Sequence, residues 1–142
     1  MGETTKPLLV GEANPYGADP RFALYPEPRG ASGDRLCRKV MGLSGGAYMA
    51  RFDRVNLCTG KWSKPEAVAR AQELLAGPHQ TYVLLGAKVR AAFLGAPCTT
   101  GIAKLKDKTL VCIPHPSGLC RAWGDPAEIP RVRAWLVAEG VL

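Results

Sequence analysis

No apolar run in these 142 residues approaches the ~20 needed to cross a bilayer. The first residues show no basic-then-apolar signal pattern, so a cytoplasmic protein without membrane contact is expected. None of the five cysteines (Cys37, Cys58, Cys98, Cys112, Cys120) forms a CxxC pair, which argues against a zinc ribbon. Their odd number, and the apolar neighbourhood of three of them, fit buried thiols in a reducing compartment. There is no GxGxxG or Walker pattern, which weakens the reading of a small nucleotide-binding α/β protein. Internal repeats and low-complexity tracts are absent too.

What is present is ordinary in bulk and uneven in charge. Hydrophobic residues make up 46% and charged ones 22%, as in soluble globular chains, and the length suits one domain over residues 1–142. Residues 1–34 carry three basic and five acidic side chains, a balance of −2, whereas residues 35–142 carry sixteen and seven, a balance of +9. A basic body of this kind suits a polyanionic partner, with nucleic acid the first candidate.

Short apolar runs ending at glycine, asparagine or proline predict strands at 8–10, 52–58, 82–86 and 109–113. Helices are expected between them. One is capped by Asp34, runs through Leu36, Val40 and Met41, and ends at Gly42 or at Gly45-Gly46. A second spans 65–76, with Ser63 as cap, Pro65 at its start and Glu66 at capping-box spacing. Its apolar face is read as Val68, Ala71, Leu74 and Leu75. A third covers 87–94 and a last one 126–139, while residues 102–107 are a connection without assignment. This alternation predicts a three-layer α/β/α fold around a four-stranded parallel sheet. Ligands of such sheets bind at the carboxyl ends of the strands. Here those ends are Gly11, Asn56, Gly86 and Pro114.

Two strand-end stretches stand out. Residues 11–34 form a loop rich in Gly, Pro, Asn and Asp that nevertheless holds Tyr16, Phe22 and Tyr25; so long a loop in a compact domain is usually functional. Residues 113–121, IPHPSGLCR, bring His115 and Ser117 into a Pro/Gly turn, the composition of an active-site rim. His79, after Gly77-Pro78, reads as a surface residue.

GEANPYG after the first strand and HPSGLCR after the last resemble the two signature motifs of the uracil-DNA glycosylase superfamily. RVNLC between them is similar to the family's middle strand with its base-reading asparagine. The resemblance runs from Leu8 to the final helix and mixes branches. HPSGL joins the common histidine to the SGL-x-R of the mismatch-specific branch. Aligned on its proline, the first loop puts Asn14 where the mismatch-specific and single-strand-selective enzymes have asparagine, and Tyr16 where a tyrosine excludes 5-methyl groups. Aligned on Gly11, it puts Glu12 where the GEAPG-type branch has its glutamate. The iron–sulfur cluster of that branch uses cysteines ahead of the first motif, and none precedes Cys37, so neither cluster, metal nor other cofactor is expected.

The resemblance implies a monofunctional DNA glycosylase of base-excision repair that flips uracil or a related damaged or modified base, hydrolyses its N-glycosidic bond and leaves an abasic site. The catalytic set is Asn14 as preferred water-positioner, Glu12 as the alternative, and His115 stabilising the departing base. Asn56 reads the base edge, with Tyr25, Phe22 and Tyr16 around it. Ser117 and Gly118 shape the backbone toward phosphate, Leu119 fills the vacated stack and Arg121 contacts DNA. A supplementary basic set comprises Arg35, Arg38, Lys39, Arg51, Arg54, Lys61 and Lys64, most of it solvated face. The expected partner is DNA and the expected state a monomer. Two other readings stay open: a glycosylase for a bulkier hypermodified pyrimidine such as those of phage DNA, and a nucleic-acid-binding module that has lost turnover.

Overall fold

A computed structural model of the protein describes residues 6–13, 23–95, 99–117 and 120–142. The apolar runs become strands parallel to one another: Leu8–Ala13 (β1), Asp53–Cys58 (β2), Thr81–Leu85 (β3) and Lys108–Ile113 (β5); β1, β3 and β5 bury both faces, whereas β2 lies at an edge with only Leu57 and Cys58 buried. The unassigned connection is a fifth strand, Gly101–Leu105 (β4), antiparallel to β5. The sheet order is β2-β1-β3-β5-β4. The expected four-stranded parallel sheet is therefore corrected to a five-stranded mixed one. β4 lies at the edge with alternating exposure, and the two-residue turn joining it to β5 carries Lys106 at φ 56°. Such a turn usually advertises itself by Gly or Asn; here neither is present.

The helices fill both faces of the sheet. One turn, Ser32–Asp34, runs directly into a π-helix, Arg35–Val40 (together α1). Asp34 is thus inside the helix and not its cap. Its carboxylate takes the Gly30 N–H at 2.9 Å and Arg38 at 2.7 Å, contacts that hold its pKa below the usual value against a raising effect of burial. Gly42, at φ 70°, ends that helix. The Gly45-Gly46 pair, expected as a stop, instead opens Gly45–Arg51 (α2), because the Ser44 hydroxyl accepts the Ala47 N–H at 3.2 Å.

Lys64–Leu75 (α3) begins as expected: the Ser63 hydroxyl accepts the Glu66 N–H. The Glu66 carboxylate turns to the Thr59 N–H at 3.2 Å, which ties the helix start to the end of β2. Its buried face is Ala67 and Ala71, with Leu74 and Leu75 partly covered, whereas Val68 is 37% exposed, one position off the expected face. Ala87–Leu94 (α4) and Glu128–Ala138 (α5) match the two remaining expectations to within two residues.

Leu9, Val83, Leu85, Val111 and Ile113 bury one sheet face under α1, α2 and α5. Leu8, Val10, Tyr82, Leu84 and Leu110 bury the other under α3 and α4. Cys37, Cys58 and Cys112 are buried; Cys98 lies outside the described residues. His79 is largely covered rather than a plain surface residue. Its Nε2 lies 2.8 Å from the Asp53 carboxylate, and its ring meets Tyr82 edge-on. Among the described residues no helix is long and apolar enough to cross a membrane.

Candidate active site

The chain leaves β1 for the α1 face and leaves β3 for the α4 face. Because β1 and β3 are neighbours, their carboxyl ends part and leave a crevice between them, the switch point at which doubly wound sheets bind ligands. Glu12, one residue before the end of β1, lies on one side of that crevice and Gly86 follows β3 on the other. The Gly86 N–H donates to the Ile113 carbonyl at 3.0 Å, which extends the β3–β5 ladder and brings His115 alongside.

Gly86 is required here. Its φ of 97° excludes most other residues. A Cβ at this position would stand 3.3 Å from Glu12 Oε2 and 3.1 and 3.3 Å from His115 Cβ and Cδ2. The absent side chain is therefore what lets the carboxylate and the imidazole face each other.

His115 is placed by burial, by two neighbouring charges and by two hydrogen bonds. Burial lowers its pKa; Glu12 opposes that shift and Lys88, on α4, adds to it. The Ser117 N–H donates to His115 Nδ1 at 3.1 Å, so the neutral ring carries its proton on Nε2 and offers it outward. The indole N–H of Trp123 donates to the His115 carbonyl at 2.6 Å and anchors the backbone. The Cys120 N–H donates to the Ser117 carbonyl at 3.1 Å.

Asn56 stands on β2, beyond β1. It is paired with Gly11 across β1 and β2, and its Oδ1 lies 2.4 Å from where a Gly11 Cβ would be. The amide thus lies across the floor of β1, one residue before Glu12. Across the sheet the order is Asn56, Glu12, Gly86, His115, with Asn56 inside β2, two residues before its end, and not at the strand end where the sequence put it. With strands ~4.8 Å apart, three spacings give roughly 14 Å.

The structure distributes the remaining candidates differently. Tyr25 is partly buried with the Arg54 guanidinium 5.8 Å above its ring. Arg54 also donates to the Ala23 carbonyl at 2.7 Å, and Arg38 to that of Pro26 at 2.8 Å; both arginines thus fasten the 23–34 loop. Arg121 is exposed on a single 3-10 turn, Arg121–Gly124. Asn14, Tyr16, Phe22, Gly118 and Leu119 lie outside the described residues. A cleft of about 360 Å³ lies between β2 and α3, with Asn56, Ala23, Glu66 and Arg70 in its lining; neither Glu12 nor His115 lines it. Among the described residues no cluster of His, Cys, Asp or Glu could hold a metal ion.

Lys88 and Trp123, which act on His115, are residues that the sequence did not single out. Lys88 has a legible signal in retrospect, as the first cation after the strand-ending Gly86. Its ammonium lies 5.6 Å from the Trp62 ring centroid, which fixes where that charge stands. No protein-family model matches the chain, and a search of the curated proteins returns no match.

Proposed function

We propose that the protein is a monofunctional DNA N-glycosylase with a uracil-DNA-glycosylase-like fold, acting as a monomer on a base flipped out of DNA. The observation that carries this reading is the confrontation of Glu12 and His115 across Gly86 at the switch point. The order of the four groups across the sheet and the basic balance of residues 35–142 support it.

The chemistry follows from these groups. Glu12 holds a water against the anomeric carbon and takes its proton as the new C–O bond forms. The C–N bond breaks with its electron pair passing to the base, while positive charge grows on the sugar. The Glu12 carboxylate stabilises that cation. His115 donates Nε2–H to a carbonyl oxygen of the base and so stabilises the departing anion. A neutral donor fits this role, since a protonated His115 would pair with Glu12 and draw the carboxylate from its water. Asn56 presents both a donor and an acceptor to the base edge. The base then picks up a proton and leaves free base and an abasic site. Glu12 takes the role for which Asn14 is the other candidate.

Oligonucleotides carrying uracil, hydroxymethyluracil, hypoxanthine or modified cytosines, treated with alkali after incubation, test the proposal. Alkali-labile strand breaks at uracil support it; breaks only at a bulky base point to a hypermodified pyrimidine as substrate. Salt-sensitive binding without a break at any base would reduce the protein to a binding module. His115→Ala should abolish cleavage and leave DNA binding in place.

A further inference from the structure

Strand β2 is the outermost of the sheet, so along one of its sides no strand pairs with it among the described residues. The register says which backbone groups stand on that side. The Asp53 N–H donates to the Pro7 carbonyl at 3.1 Å, and in a parallel ladder every second residue turns its N–H and C=O to the same neighbour. Asp53, Val55 and Leu57 therefore face β1, whereas Arg54, Asn56 and Cys58 present their backbone groups outward. Edge strands are commonly blunted by charge, but both charges of β2 are engaged elsewhere. Asp53 lies 2.8 Å from His79, and Arg54 turns to the Ala23 carbonyl and the Tyr25 ring.

A helix face stands beside this edge. The cleft between β2 and α3 follows the strand from Val55 to Thr59 and meets Glu66, Ala69, Arg70 and Glu73 on the helix. These helix positions are spaced i, i+3, i+4 and i+7, one face over about 10 Å. Residues 55–59 of the strand side cover roughly 13 Å, the length of about four extended residues. Ala69, small and exposed, leaves the middle of the helix side open. The Glu66 carboxylate, 3.2 Å from the Thr59 N–H, bridges helix and strand at one end.

We propose that the free edge of β2 and this face of α3 form a docking groove for an extended peptide segment, basic and apolar in alternation, which adds to the sheet beside β2. Backbone N–H and C=O groups at two-residue spacing pair with another backbone, and flanking walls select alternate side chains. One set of side chains would face α3 and meet Glu66 and Glu73 around the gap at Ala69; the other would lie on the side of Ala23. Charge favours a cationic segment over a nucleic acid. Residues 35–142 carry a balance of +9, yet the cleft holds two glutamates against one arginine, and Arg70 is already 3.5 Å from Glu73. This inference does not rest on the glycosylase reading. Asn56 offers the groove its backbone, while its amide lies over Gly11.

The test follows backbone amide signals and their hydrogen exchange in the whole chain. The probes are end-blocked hexapeptides of alternating lysine and valine, of alternating glutamate and valine, and the lysine peptide with alternate nitrogens methylated on either strand edge. The lysine peptide should shift and protect the amides of Arg54, Asn56 and Cys58, while those of Val55 and Leu57, already turned to β1, change little. It should bind roughly 10-fold or more tightly than the glutamate peptide, and methylation on one of its edges should abolish binding. Ala69→Arg, at an exposed helix position, should keep the urea midpoint and weaken the lysine peptide by a similar factor. Glu73→Lys should narrow or reverse the preference between the two charges. The inference is overturned if the lysine peptide at millimolar concentration leaves the three amides unmoved. Equal binding of both charges, or binding indifferent to methylation, overturns it as well. Protection of the three amides that grows with protein concentration alone would give the edge to a second copy. Their protection by a single-stranded oligonucleotide would give it to nucleic acid, and either result excludes the peptide groove.

Discussion

Glu12 and His115 face each other across a position with no side chain: each places an atom 3.3 Å from where a Gly86 Cβ would be. They come from strands that are not neighbours, β1 and β5, with only β3 between them. A glycine at the end of that middle strand is what allows the contact. Neither residue alone is informative, since a strand-end glutamate can simply cap a turn. It is the convergence at the switch point that gives the pair a chemical meaning.

Replacing Gly86 by alanine should separate catalysis from folding. The φ of 97° and ψ of 166° belong to a region that is nearly glycine-only, so the variant should lose about 1–3 kcal/mol of stability. The added methyl would also stand between the carboxylate and the imidazole. Urea unfolding should show a modest loss in a chain that still folds, whereas single-turnover cleavage should fall well beyond it. Cleavage reduced only in proportion to the unfolded fraction would remove Gly86 from the site.

The charges around His115 make a prediction that needs no substrate. Glu12 raises its pKa and Lys88 lowers it, while burial sets the dominant downward shift. NMR titration of the His115 ring should therefore give a lower pKa in Glu12→Gln and a higher one in Lys88→Met than in the wild type. Variants that moved together, or not at all, would mean that the two charges do not face the ring.

The same shift fixes a pH dependence of stability. With the folded pKa of His115 below its ordinary 6.5, the unfolded chain binds more protons between those two values. Stability is then complete above about pH 6.5 and declines as pH falls through the folded value. His115→Gln should flatten that part of the profile. Denaturant melts of both proteins from pH 7.5 down to pH 5 measure it, and parallel curves would contradict the assignment.

Loop anchoring gives a fourth test. Tyr48→Phe removes the hydroxyl that satisfies the Leu24 carbonyl and should cost about 1–3 kcal/mol. Gly33→Ala should cost more, because its methyl would meet the Tyr25 carbonyl oxygen at 2.1 Å, and backbone has to move. Thermal melts that ranked the two the other way would mean that the 23–34 loop is held from elsewhere.

The sequence made some of this legible for physical reasons. The inner parallel strands bury both faces, so Leu8–Val10 and Leu110–Ile113 read as unbroken apolar runs, and the polar residues that end them fall at the crevice by topology alone. Glu12 and His115 were visible for that reason, whereas Asn56 stands inside the edge strand β2. Edge strand β4 was not, since residues 101–105 alternate in exposure and their turn carries Lys106 in place of glycine. The Gly45-Gly46 pair misled because glycine after a serine cap tolerates the first turn of a helix as well as a stop. The left-handed backbone of Leu24 was invisible because Tyr48 and Gly33 set it from outside the loop's own sequence, and no local pattern announces that.

Single-turnover cleavage of a uracil-containing oligonucleotide by the wild type, Glu12→Gln and His115→Ala, run alongside DNA-binding titrations, tests the central claim most directly. The account predicts a free base and an alkali-labile site with the wild type, a rate lower by ~10²–10⁴ in each variant, and DNA affinity within a few-fold of wild type in all three. Cleavage that persists at the wild-type rate in either variant would contradict it.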